Sequence, residues 1–392
     1  MIKYDIIIIG AGLIGIPIAY ELAKAGRKVA VVDAKGLGAG ASTANGGMLL
    51  LEGNANGPAF SMRMDGVGEY QKLEEELEYK IDFQKRTLIE LIEDEKYIQE
   101  ASEIGALYKR NGFFGEIIDT AEIHKLEPGV CLDTVISALL AEQWTIDPMK
   151  TLFGYYLKAR EYGMDWYPFA PVMDFIREGT KILGVKTPKG DIFGDQIVTA
   201  VGAMTRPLLQ KVGVTLPEYY IHGSAMITER GKYGLKYGIL KFASDRIEMQ
   251  DRASEMAERI GWENMPEMDA LEFCAVPDGE GSILIAERSH IWKDYRSAVP
   301  IEDMRLMARN TLKYLPGLRQ ANIVRSWIRP VPFIPDNRPF YGYLRPYDNL
   351  FVASGFASAL IVAPVVAKMT RDLLEGKKAA YDISSFDPSR FN

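Results

Sequence analysis

Ile6-Ile7-Ile8-Ile9-Gly10-Ala11-Gly12-Leu13-Ile14-Gly15, at the start of a 392-residue chain, is the stretch on which the fold turns. Residues 4–9 are rich in β-branched side chains and read as a strand buried on both faces. A helical pattern follows from Leu13 to about Ala25, with Ile14, Ile18 and Leu22 on one face, and Gly26 supplies the stop. Residues 29–32 then form a second strand that ends on Asp33. Each glycine has a task in such a unit. Gly10 permits the tight turn, Gly12 lets a pyrophosphate approach the backbone, and Gly15 lets helix and strand pack closely. The amides of Leu13 and Ile14 at the helix N-terminus offer partial positive charge to phosphates. Asp33, followed by Ala34 and Lys35, stands where a carboxylate accepts hydrogen bonds from a ribose. The pattern specifies a nucleotide without specifying which one.

Composition narrows the class. With 46 basic and 53 acidic side chains the net charge is −7, which gives no support for nucleic acid or an anionic membrane as partner. The length exceeds what one core usually supports, so two interleaved domains are expected. Two cysteines, Cys131 and Cys274, are too few for a disulfide framework or an iron–sulfur cluster, and a reducing compartment fits. The isoleucine run leads straight into the glycine triplet and reads as a strand, not a leader. The longest later apolar run, residues 357–367, is too short to span a bilayer and lies beside Lys368 and Arg371. These features predict a soluble cytoplasmic protein, with peripheral membrane attachment through a partner left open. His124, His222 and His290 show no metal spacing and read as structural. Residues 66–100 read as charged surface helices.

The segment Gly36-Leu37-Gly38-Ala39-Gly40-Ala41-Ser42-Thr43-Ala44-Asn45-Gly46-Gly47-Met48 resembles one found in the D-amino-acid oxidase family of flavoproteins. That family includes glycine oxidase, sarcosine oxidase, D-amino-acid dehydrogenases, and the flavin subunits of dye-linked proline dehydrogenase and opine oxidase. The resemblance implies FAD as the nucleotide, with Ala41, Ser42, Asn45, Gly46, Gly47 and Met48 wrapping the pyrophosphate and reaching the flavin ring. It continues through Trp144-Thr145-Ile146-Asp147-Pro148, where Asp147 is expected to cap a helix. Pro171-Val172 is expected to start a strand whose Val172 backbone meets adenine. A hairpin is expected with its turn at residues 188–190, and residues 197–202 would return beneath the cofactor at Ala200 and Gly202. Leu216-Pro217 and His222-Gly223 match the departure toward a substrate domain. Near the C-terminus, Gly355, Phe356 and Ala357 resemble the family's last cofactor contact, before a helix over residues 363–374 with Pro364 near its start. That helix would aim its dipole at the flavin pyrimidine. The implied architecture is mixed α/β and α+β. A Rossmann-like FAD-binding domain (1–85, 145–216 and 322–392) interleaves with a substrate domain on a mainly antiparallel sheet (86–144 and 217–321).

Two departures from the family stand out. Many relatives carry Trp-x-Gly-x-Arg-Pro-x-Thr-Pro-Asp, whose arginine binds the substrate carboxylate. Here Trp327 and Asp336 align without gaps, the family arginine falls on Val331, and Arg329 lies two residues earlier. A two-residue shift along a strand keeps the side chain on the same face, so Arg329 is the first candidate for the carboxylate. Tyr219, Tyr220, His222 and Arg288 are further substrate candidates. At the second departure, Phe356 replaces a usual histidine, and the span to Pro364 is one residue short. Sarcosine-oxidase relatives attach flavin through a cysteine where this chain has Arg329, so noncovalent FAD is implied. The implied reaction is oxidation of the C–N bond of an amino acid or secondary amine, with hydride transfer to flavin N5. Oxidation of a 2-hydroxyacid or glycerol phosphate, and a non-catalytic flavoprotein subunit, remain open alternatives. So do a homo-oligomer and an electron-accepting partner subunit.

Overall fold

A computed structural model describes residues 2–50, 58–242, 245–356 and 358–391. Among the described residues the strands form two sheets, one of eight and one of nine.

In the first sheet the isoleucine strand Lys3–Ile9 lies between Val29–Val32 and Gly190–Thr199, parallel to both. Asp165–Tyr167 and Leu350–Ser354 extend it on either side, also parallel, and Phe340–Tyr343 closes one edge antiparallel. Alternation along the central strand explains why it is apolar throughout. Ile6 and Ile8 enter one core with the helices Gly15–Lys24, Pro148–Glu161 and Ala359–Leu374, while Ile7 and Ile9 enter a second core on the other face. The expected hairpin is present, with Thr187 opposite Gly190. Asp147 caps its helix by accepting the Lys150 amide at 2.9 Å, with Pro148 in the first turn.

The second sheet runs in the order Ile323–Phe333, Tyr219–Thr228, Ile283–Trp292, Met268–Pro277, Gly238–Lys241, Gln84–Ile92, Ser137–Thr145 and Met48–Leu49, with Gly115–Ile118 beside Ser137–Thr145. All its pairings are antiparallel except that of Gly238–Lys241 with Gln84–Ile92. Met48–Leu49 and Ile323–Phe333, both expected with the cofactor-binding part, hydrogen-bond into this second sheet. The two units therefore meet through shared segments.

Three expectations need correction. Residues 66–100 are not a run of surface helices. The helix Pro58–Leu77 buries Val67, Tyr70, Leu73 and Leu77, and Gln84–Ile92 is a strand burying Leu88, Ile89, Leu91 and Ile92. A Cβ on Gly66 would strike the Ile361 carbonyl oxygen, so this helix packs backbone-close on the C-terminal one. That C-terminal helix begins at Ala359, not 363, which places Pro364 in its interior. Proline cannot donate to the carbonyl four residues earlier. Tyr70 Oη donates to that carbonyl, Leu360 O, at 2.7 Å and supplies the missing bond. Finally, the regular strand near Val172 starts at Asp174, although the Met173 amide already donates to Lys186 O at 2.8 Å.

Among the described residues no helix is long and apolar enough to cross a membrane, and no group of three or more His, Cys, Asp or Glu side chains could hold a metal ion.

Candidate active site

The glycine triplet is fixed by contacts as well as by turn geometry. Gly10 has φ +108°, and a Cβ there would strike the Ala200 carbonyl oxygen; one on Gly15 would strike the Gly10 carbonyl oxygen. A Cβ on Gly12 would lie 2.7 Å from Ser42 Oγ, which accepts the Leu13 amide at 3.0 Å. A loop hydroxyl and a loop amide thus converge ahead of the helix Gly15–Lys24, whose first turn holds no acidic residue. Asp33 takes three backbone amides, from Ala11 at 2.9 Å, Lys35 at 2.8 Å and Gly36 at 2.7 Å. A carboxylate offers about four acceptor positions, so roughly one remains for a hydroxyl. Ala34 and Lys35 are exposed beside it.

The glycine-rich loop closes on itself and then joins the second sheet. Asn45 Oδ1 accepts the Gly47 amide at 2.9 Å, and Asn45 Nδ2 donates to Ser42 O at 2.9 Å. Gly47 adopts φ +74°, a region that favours glycine, and its carbonyl accepts the Ile146 amide at 2.9 Å. Met48 follows opposite Thr145, while the 3₁₀ turn Ala41–Thr43 stands one step back. Trp327 Nε1 donates to Ala44 O at 3.0 Å, and a Cβ on Gly46 would lie 3.0 Å from Leu284 Cδ2. One face of the second sheet therefore rests on this loop. At its other end, a Cβ on Gly355 (φ +77°) would strike Ile334 Cδ1. Phe356 packs edge-on against Tyr341, with ring centroids 5.6 Å apart. Ala357 lies outside the described residues. At the ends of neighbouring strands, Ala200 donates its amide to Ile9 O at 2.8 Å, and Gly202 has φ +54°. Val172 packs against the second core.

Arg329 and Val331 lie between those two anchors, on the same face as Trp327 by strand alternation. Gly223 is opposite Arg329 on one side and Ser289 on the other. The pairing then slips between Ser224 and Ala225, because Glu287 is an extra residue in its strand. The bulge turns Glu287 onto the face of Gly223. Its carboxyl carbon lies 3.1 Å from where a Gly223 Cβ would be. Glu287 Oε1 accepts Arg246 Nη1 at 3.0 Å and also Ser289 Oγ. Arg329 Nη1 donates to Ile328 O at 2.8 Å, and Arg329 has no carboxylate partner among the described residues.

The remaining substrate candidates separate. Tyr219 shares the face of Arg329 but packs on Phe333, 4.7 Å between centroids, and burial raises its pKa. Tyr220, His222 and Arg288 occupy the opposite face. Arg288 pairs with Asp269 and approaches Asp303 at 4.0 Å. Asp303 also takes His290 Nε2 at 2.9 Å and Ser224 Oγ at 2.7 Å. His222 packs on Trp292 and accepts the Arg296 amide at 3.1 Å; burial lowers its pKa to about 4, so it is neutral. Tyr220 lies under the Arg206 guanidinium, 5.3 Å from its ring centroid. The structure thus brings Arg329 together with Glu287, Arg246, Ser289 and Gly223, of which only Arg329 was singled out from sequence as a substrate ligand. Nothing in the local sequence marks the bulge that selects Glu287 over Arg288.

A second unanticipated group lies just before Gly355. Glu218 is fully buried and accepts Ser354 Oγ at 3.0 Å and the Arg206 amide at 3.0 Å, while Thr205 Oγ1 donates to Ser354 Oγ at 2.9 Å. Burial pushes its carboxyl up to about 7.

Comparison with known proteins agrees with this geometry. A family model described as FAD dependent oxidoreductase matches residues 5–373. The chain is 23% identical to glycine oxidase of Bacillus licheniformis over 384 residues, which cover 95% of this chain and 94% of that protein. Among solved structures, glycine oxidase from Geobacillus kaustophilus superposes with a TM-score of 0.84 at 22% identity, covering 100% of this chain and 99% of the other. L-proline dehydrogenase from P. horikoshii superposes with a TM-score of 0.81 at 24% identity, covering 99% and 98%.

Proposed function

The chain belongs to the family of FAD-dependent oxidoreductases, and from that premise we propose that it oxidises the C–N bond of an amino acid or secondary amine, with Arg329 holding the substrate carboxylate. The observation that carries this reading is an arginine without a carboxylate partner, set on the sheet face between the glycine-rich loop and Gly355. A half-buried guanidinium in that position is poised for a planar anion.

The residues present fit FAD. The Leu13 amide and Ser42 hydroxyl converge where Gly12 leaves space for a pyrophosphate, and the Gly15–Lys24 helix adds its N-terminal dipole. Asp33 retains acceptor capacity for ribose. Ala41, Asn45, Gly46, Gly47 and Met48 on one side, and Gly355 and Phe356 on the other, flank the space for the ring, which FAD occupies noncovalently in this reading. Ala200, Gly202 and Val172 complete the nucleotide side. The cofactor-binding part comprises 1–85, 145–216 and 322–392, and the substrate part 86–144 and 217–321, with the strand Ile323–Phe333 serving both. When bound, FAD supplies the acceptor for a hydride from the substrate carbon. The protein's task is then to orient the substrate and exclude water. That the three compared proteins are named as two glycine oxidases and an L-proline dehydrogenase supports the substrate class.

Anaerobic bleaching of the flavin tests the reading. The panel is glycine, sarcosine, D- and L-alanine, D- and L-proline and opines, set against glycolate, lactate and glycerol phosphate. Bleaching by at least one amine, and its loss in Arg329→Met, is the expected result. Bleaching only by hydroxyacids or glycerol phosphate overturns it.

A further inference from the structure

We propose that Glu287 is the amine-binding residue of this site, and that the substrate is an amino acid held as a zwitterion between two side chains of this sheet face, its carboxylate on Arg329 and its ammonium on Glu287. The inference rests on the amine-oxidising reading above and narrows it.

Three features of the sheet face carry it. First, Arg329 and Glu287 flank Gly223 on the same face, yet among the described residues they form no ion pair with each other. Arg329, half-buried without a carboxylate partner among the described residues, bears a desolvation cost, whereas Glu287 meets Arg246 through Oε1 alone and keeps Oε2 for a further donor. A ligand with a carboxylate and an ammonium group serves both. Second, Glu287 is fixed in position. Oε1 takes both Arg246 and Ser289, whereas Oε2 accepts no hydrogen bond among the described residues. Both carboxylate oxygens lie 3.2 Å from the point where a Gly223 Cβ would stand, so the absent side chain is what lets the carboxylate lie over the strand that Arg329 pairs with. Third, the displacement of the arginine fits this arrangement. At 331 an arginine would stand opposite Ile221, within an apolar cluster; at 329 it stands opposite Gly223, one strand from Glu287. The carboxylate-binding group and the bulged glutamate therefore occur together.

The chemistry excludes as well as selects. A 2-hydroxyacid satisfies Arg329 but offers Oε2 of Glu287 only a neutral donor. A simple amine satisfies Glu287 and leaves Arg329 unpaired. Only a ligand with both groups closes the site, and either a primary or a secondary amine supplies the N–H donors that Oε2 lacks.

The test uses holoenzyme and two isosteric pairs: L- or D-proline against tetrahydrofuran-2-carboxylate, and sarcosine against methoxyacetate. Each pair differs by N–H against ether oxygen. Anaerobic rapid mixing followed by the flavin spectrum gives a Kd for each ligand, from the saturation of the bleaching rate where the ligand reduces the flavin and from the spectral perturbation where it does not. The wild type is expected to prefer at least one amine over its ether. Glu287→Gln should weaken that amine roughly ten- to a hundredfold, the range for a lost charge-assisted hydrogen bond, while the ether acid changes less than about threefold. Arg329→Met should weaken both. Glu287→Asp, which keeps the charge but withdraws it, should give an intermediate loss and provides a second variant should the glutamine form lose flavin. Equal weakening of both ligand types by Glu287→Gln, an unchanged amine preference, or no preference in the wild type overturns the proposal. If amines bleach the flavin while the preference survives Glu287→Gln, only this inference falls. If hydroxyacids alone bleach it, the amine-oxidising reading falls too.

Discussion

Glu218→Gln is the perturbation whose magnitude follows most directly from the structure. Glu218 precedes the strand Tyr219–Thr228 and is fully buried between the Arg206 amide and Ser354, and burial pushes its carboxyl from the ordinary 4.5 to about 7. Between those values the native protein keeps a proton that the unfolded chain has released, so stability falls as pH rises through that window. At about 1.4 kcal/mol per pH unit, the penalty grows from near zero below pH 4.5 to about 3 kcal/mol above pH 7. An amide carries no charge at any of these pH values. Its oxygen can accept the Arg206 amide, and its nitrogen can donate to Ser354 once that hydroxyl rotates, so both contacts survive. The glutamine variant should therefore match the wild type near pH 5 and unfold at higher temperature near pH 8. The assay is thermal unfolding by circular dichroism at pH 5, 6, 7 and 8 with flavin in excess, read as the difference in Tm between the two proteins. A difference that does not change with pH, or a variant less stable at pH 8, refutes the reasoning. Glu218→Ala is the contrasting control. It leaves the Arg206 amide and Ser354 hydroxyl without their acceptor and should be destabilised throughout.

His222 carries the opposite sign. Burial lowers its pKa to about 4, so the unfolded chain takes up a proton first, and stability is lost as pH falls from 6.5 toward 4; His222→Gln should flatten that acid limb in the same assay. Tyr70→Phe leaves the Leu360 carbonyl without a donor, because Pro364 cannot provide one, and should lower stability by about 1–2 kcal/mol with flavin content unchanged. Thermal unfolding at constant flavin saturation checks it, and an unchanged Tm counts against the compensating role. Gly12→Ala places a methyl 2.7 Å from Ser42 Oγ, in the space read here as the pyrophosphate's. It should weaken FAD binding at least tenfold by fluorescence titration of apoprotein, and unaltered affinity would place the phosphates elsewhere.

The parts of the fold that local sequence specifies were legible. A strand, a glycine turn, a capped helix and a second strand ending in an acid each leave a signal within a few residues, and Lys3–Ile9 through Asp33 is built that way. The hairpin at Thr187 and Gly190 and the cap at Asp147 are equally local. Misreadings arose where a distant partner decides. Gln84–Ile92 carries Lys85, Arg86 and Glu90 and resembles a charged helix until Ser137–Thr145 pairs with it. Pro364 ordinarily marks a first turn, and so points to too late an onset for the C-terminal helix. Tyr70, almost three hundred residues away in sequence, lets the proline sit inside instead.

The substrate site shows the same limit more sharply. The displacement of the arginine from 331 to 329 is visible in sequence and keeps its face, because two residues restore the phase of a strand. A single extra residue does the reverse. At Glu287 it exchanges faces, so Arg288 joins Asp303 and Asp269 in a structural ion cluster while its neighbour meets Gly223. Reading the strand without the bulge puts a cation toward the substrate; with it, an anion faces Arg329. The charge of the site, and with it the choice between an amine and a hydroxyl substrate, thus depends on one register slip between Tyr219–Thr228 and Ile283–Trp292. Removing Glu287 should close the ladder with Arg288 still opposite Ser224 and beside Asp269 and Asp303, leave Arg329 on the substrate face without the carboxylate, and shift binding from zwitterions toward plain carboxylates such as methoxyacetate.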